Sequence, residues 1–94
     1  MIKFNGTSHL LVQAFLESKQ NQEFEIMDTN FSEGIYIWTE FNFVPINRAA
    51  KLVAGWLKEL SELGVQVDAE FFQCTDENQE PIADAWRVIF TDVK

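Results

Sequence analysis

A chain of 94 residues with a net charge of −8 and a pI near 4.4 is long enough for a single hydrophobic core without metal or disulfide staples. Its acidity argues against direct binding to nucleic acid or to an anionic membrane surface, since both need clustered Lys and Arg. Nine Phe in a 47% apolar composition exclude disorder of the whole chain, and no apolar run approaches the ~18 residues of a membrane span.

Met1 to Asn5 reads as a short strand with Ile2 and Phe4 on one side. Gly6 and Thr7 then turn the chain into a first helix, from Ser8 to about Gln20, with Thr7 or Ser8 as its N-cap. His9, Gln13, Glu17 and Gln20 share a narrow polar face of that helix, and Leu10, Leu11, Val12, Ala14, Phe15 and Leu16 cover the rest. An apolar arc so wide predicts contact with more than one neighbour. From Glu23 to Asp28 the pattern alternates, with Phe24 and Ile26 inward and Glu23 and Glu25 outward, the mark of a half-buried strand. After a DTNFSEG loop comes the most β-favouring run, Ile35 to Phe43, where Ile35, Ile37, Thr39 and Phe41 face one way and Tyr36, Trp38, Glu40 and Asn42 the other.

Ile46 to Gly64 is the clearest element. Ala49, Leu52, Val53, Trp56, Leu57, Leu60 and Leu63 fall on one helical stripe, with Lys51, Lys58 and Glu62 opposite. Asn47 suits the N-cap, Gly64 the left-handed closing position, and Pro45 disfavours helix at Val44. Gly55 interrupts the solvent side and raises the question of a close approach there. Val65 to about Cys74 alternates again, with Val65, Val67, Ala69 and Phe71 on one face and Gln66, Asp68, Glu70 and Phe72 on the other. A polar TDENQEP loop leads to a last strand, Ala85 to Val93, with Trp86, Val88 and Phe90 inward and Arg87, Ile89 and Thr91 outward.

Two helix-strand-strand units thus follow one another. The expected fold is an α+β two-layer sandwich, with two helices on one face of a mainly antiparallel sheet of four to five strands. Its order is βαββαββ, a ferredoxin-like variant, if the opening strand pairs, and αββαββ otherwise.

No catalytic, metal or nucleotide motif stands out. The lone His9 has no nucleophile or carboxylate partner marked by spacing and reads as a surface residue. Cys74, the only cysteine, can form no intrachain disulfide and no zinc cluster, which together with the lack of a secretory pattern suits a reducing cytoplasm. Asp76, Asn78 and Glu80 have the spacing of a calcium loop, but Pro81 stands where its glycine belongs and Arg87 where its bidentate Glu belongs. Neither a cofactor nor enzyme activity is therefore expected.

Charge layout carries more information. No basic residue lies between Lys19 and Arg48, or between Lys58 and Arg87, whereas both intervals are rich in Asp and Glu. Strand alternation gathers Glu23, Glu25, Glu40, Asp68 and Glu70 on the sheet face turned away from the helices, beside Tyr36, Trp38 and Phe72. Aromatics supply contact area and carboxylates steer Lys and Arg, so such a face suits a basic protein, with a nucleic-acid-binding protein as the expected partner. The expected function is a non-enzymatic acidic module that blocks such a partner by partial DNA mimicry, in the manner of a phage-encoded inhibitor of a host defence nuclease. Four rivals remain: an immunity protein or antitoxin, a small-ligand or regulatory domain using the cleft between sheet and helices, a homodimer covering the same face, and a face that is merely solvated.

Overall fold

The computed structural model describes residues 6–93, which form α1 (Gly6–Glu17), β1 (Phe24–Thr29), β2 (Tyr36–Asn42), α2 (Ile46–Glu62), β3 (Val67–Thr75) and β4 (Pro81–Asp92). The strands make one four-stranded sheet in the order β1-β2-β4-β3, with every neighbouring pair antiparallel. Each helix-hairpin unit places its second strand in the centre and its first strand at an edge. Over the described residues this is an α+β sandwich in the order αββαββ; the opening strand expected over residues 1–5, on which the choice between the two orders rests, lies outside them.

Alternation decides which side of each strand meets the helices. Phe24, Ile37, Thr39, Phe41, Val67, Val88 and Phe90 are buried against Val12 and Leu16 of α1 and Ala49, Val53, Trp56 and Leu60 of α2. Trp56 anchors this layer, its ring 4.7 Å from that of Phe24 and 5.8 Å from that of Phe41. Burial of such side chains contributes roughly 1.5–3 kcal/mol each. Thr39 is the one polar side chain fully buried among the described residues, and its hydroxyl donates to the Val88 carbonyl at 2.8 Å, so the desolvated group is satisfied.

Helix α2 closes as its sequence predicts. Gly64 sits at φ 91, Val65 N–H donates to the Leu60 carbonyl and Gly64 N–H to that of Ser61, the paired bonds of a Schellman ending. Its start differs from expectation. Asn47 lies inside the helix, Pro45 occupies the cap, and no side chain caps the first turn. The boundary is held from the sheet instead, because Val44 N–H donates to the Asp84 carbonyl and Trp86 Nε1 donates to the Val44 carbonyl. Phe43, expected at the end of a strand, has φ 65 and turns the chain out of β2 into that anchor, so the strand stops at Asn42.

Other boundaries also shift. Helix α1 ends at Glu17, because Gln20 Oε1 accepts from Ile26 N–H and Asn21 Oδ1 from the Glu23 and Phe24 N–H groups, which commits these residues to the entry of β1. Strand β4 begins at Pro81, within the expected loop, because Asp76 Oδ1 accepts from Asn78 and Glu80 N–H and tightens the hairpin to the five residues 76–80. Helix α1 lies on edge strand β1, which leaves its far flank in water, with Leu10 61% exposed. At the margins of the α2 stripe Leu52 and Leu63 are exposed as well. No helix among the described residues is long and apolar enough to cross a membrane.

Candidate functional site

Both helices pack on one side of the sheet, and the strand register sets the side chains of the other side in rows. One row runs Glu25, Glu40, Arg87, Phe72 across β1, β2, β4 and β3. A second runs Asp28, Trp38, Ile89, Glu70, and a third Tyr36, Thr91, Asp68 across the three strands β2, β4 and β3. Seven of the eight side chains expected at the site therefore share this face: Glu25, Tyr36, Trp38, Glu40, Asp68, Glu70 and Phe72. Tyr36 is 40% exposed and Phe72 48%, so neither ring is covered by the fold.

Glu23 departs from the set. It precedes β1, and its carboxylate accepts from Arg48 of α2 through both terminal guanidinium nitrogens, at 3.1 and 3.3 Å. The chain enters the strand there from the turn held by Asn21, so strand alternation does not extend to Glu23. Two charged residues join the expected set on this face, one against simple alternation and one in keeping with it. A bulge between Ile26 and Asp28 resets the register of β1 and brings Asp28 opposite Trp38. Arg87, whose outward direction was legible, stands between Glu40 and Phe72 because β4 pairs with β2.

Arg87 changes the electrostatics of the centre. Its guanidinium carbon lies 4.6 Å from the Trp38 ring centre, and its Nε is 3.9 Å from Glu40 Oε2, which also accepts from Trp38 Nε1 at 3.2 Å. Trp38, Glu40 and Arg87 thus form a closed unit in which a cation stacks on an aromatic face while a carboxylate balances it. Glu40 is not a free acid, as its outward position alone suggested. Arg87 also eases the repulsion in this row, because Glu25 directly opposes Glu40 and like charges so placed repel. Among the described residues, no cation pairs with Asp68 or Glu70 of edge strand β3.

Beside these acids the chain is braced from behind. Asp92 Oδ2 accepts from Ile35 N–H at 2.8 Å and lies against Gly34, whose φ of 127 and missing side chain allow the approach. That clasp holds the loop before β2 over the ends of β3 and β4. Cys74 also borders the face, near Glu40 and Arg87; burial, then the Glu40 charge, push its thiol pKa up, with Arg87 opposing them.

The remaining candidates are accounted for by packing and turns. His9 is half-buried rather than on the surface, its ring stacked on Phe31 with centres 4.3 Å apart, since the loop after β1 folds back onto α1. Asp76 spends its carboxylate on the hairpin turn, and no cluster of His, Cys, Asp and Glu able to hold a metal occurs among the described residues. No protein-family model, curated protein or solved structure matches this chain, so its function has to be read from the chemistry of the sheet face.

Proposed function

We propose that this protein is a non-enzymatic interaction module whose open sheet face docks a basic protein, and that the partner is a nucleic-acid-binding protein whose basic groove it occludes. The observation that carries this reading is the pairing of uncovered rings, Tyr36 and Phe72, with Asp68 and Glu70, for which the described residues provide no counter-ion. Exposed aromatics beside unpaired acids combine the area of a binding hot spot with electrostatic steering. An inhibitor of the kind a phage directs at a host defence nuclease would work in this way, and so would an immunity protein or antitoxin. Mimicry of DNA would be partial, since alternate residues on a strand stand ~6.7 Å apart and duplex DNA carries a charge every ~1.7 Å of axis.

Two observations favour the face over the rival readings. A cleft of about 340 Å³ opens between sheet and helices beside Phe24, Phe41 and Trp56. Its charged groups are already paired, Arg48 with Glu23 and Lys19 with Glu59, whereas Asp68 and Glu70 on the open face have no counter-ion among the described residues. A second copy docked face to face would set Asp68 and Glu70 against a surface whose one described cation, Arg87, is already engaged by Glu40.

Affinity capture from the native host, followed by mass spectrometry, tests the proposal. Wild-type protein is expected to retain a basic nucleic-acid-binding protein at low salt and to release it as salt screens the contact. The double variant Asp68→Lys, Glu70→Lys is expected to retain none. Capture of the same partner by both forms, unaffected by salt, would refute the proposal.

A further inference from the structure

The Trp38, Glu40 and Arg87 unit shows what this face does with a guanidinium. It lays the group against an aromatic ring and sets a carboxylate beside it. One step along β4 lies a groove of similar composition, with aromatic and carboxylate walls and the engaged Arg87 at one end. Its floor is Ile89 and Thr91, Tyr36 walls it on β2, and Glu70 and Phe72 wall it on β3. The groove has a volume of about 350 Å³ and opens into a cleft of about 530 Å³ that shares Tyr36, Glu70 and Thr91 and adds Asp68 and Glu33.

Resting on the proposed docking function, we infer that this groove receives an arginine side chain of the basic partner. The walls stand on strands flanking β4, so their backbones are about 10 Å apart, twice the spacing of neighbouring strands. A planar guanidinium between them can lie on the Tyr36 ring and present its paired N–H groups to Glu70, with Asp68 adding negative charge along the groove. Arginine fits this better than lysine, because a compact ammonium has neither the flat face for stacking nor the two-pronged donor edge. Arg87 lines one end of the groove, but its charge is balanced by Glu40 and its face is held on Trp38, so it does not bar a second guanidinium. A second copy is the poorer occupant, because the cation it would offer from this face is engaged in the same way.

An NMR titration of the isotope-labelled full chain tests the inference with two probes, the acetylated and amidated peptides (Gly-Arg)3 and (Gly-Lys)3. Shifts caused by the arginine peptide are expected to cluster on Tyr36, Glu70, Ile89 and Thr91, with weaker binding of the lysine peptide. Glu70→Gln and Tyr36→Leu are each expected to weaken arginine-peptide binding roughly three- to tenfold, the scale of one charge-assisted or cation–π contact. Glu62→Gln, on the solvent side of α2, is the control and should leave it unchanged. Equal binding of the two peptides on the open face, or no effect of Glu70→Gln, overturns the arginine groove while leaving the docking face standing. Shifts confined to other surfaces contradict both. Concentration-dependent shifts at these four residues without peptide, with a dimer in sedimentation, would overturn the inference by making a second copy the occupant.

Discussion

Arg87 decides how the face behaves, and its effect depends on a pairing between strands distant in sequence. Without it, Glu25 and Glu40 would confront each other across β1 and β2, and Trp38 would lose its stacked cation. Gly34 shows a similar dependence on a distant residue, Asp92. Gly34→Ala is expected to destabilise the protein by about 1–3 kcal/mol, because φ 127 strains any side chain and the new methyl would meet the Asp92 carboxylate. Chemical denaturation would read this as a lower midpoint, and an unchanged midpoint would contradict the clasp. Cys74 offers a chemical probe of the same face. A raised thiol pKa means less thiolate at any pH below it, so alkylation near pH 8 is expected to be slower than for an unfolded reference peptide. Glu40→Gln removes a negative neighbour, lowers the pKa and should speed the reaction; no change would show that burial alone sets the thiol.

At the scale of elements, periodicity revealed which side of each strand and helix turns inward. The alternation from Ile35 to Phe41 and from Val67 to Phe71 is that of the buried face, and Ala49, Val53, Trp56 and Leu60 form the buried stripe of α2. Ends and neighbours were less legible because they are fixed by partners far along the chain. Val44 is held by Asp84 and Trp86, which replaces the Asn47 cap, and the bulge that turns Asp28 outward follows from the pairing of β1 with β2. Of the candidate site, the parity of Tyr36, Trp38, Asp68, Glu70 and Phe72 was readable. The side-by-side placement of β2 and β4, which brings Arg87 to Glu40, was not, because alternation within a strand says nothing of which strand lies beside it. Gly55 resolves simply: nothing lies within 4 Å of where its Cβ would stand. Gly55→Ala is therefore expected to stabilise the fold by about 0.8–1 kcal/mol, read as a higher melting temperature, whereas destabilisation would reveal a neighbour that meets the methyl group.

Over the whole molecule, the helices cover one side of the sheet and the other side carries its acids in water around a single engaged arginine. Asymmetry of this kind suits one face for docking while the other sustains the fold. Variants at Trp56 should therefore change stability, and those at Asp68 and Glu70 should leave folding intact while changing association. The most direct measurement is the affinity of the captured partner for wild type and for Asp68→Lys, Glu70→Lys across a range of salt, with folding verified by circular dichroism. The account predicts steep weakening with salt for wild type and loss of binding for the folded variant. Equal, salt-independent affinity of the two proteins would contradict it.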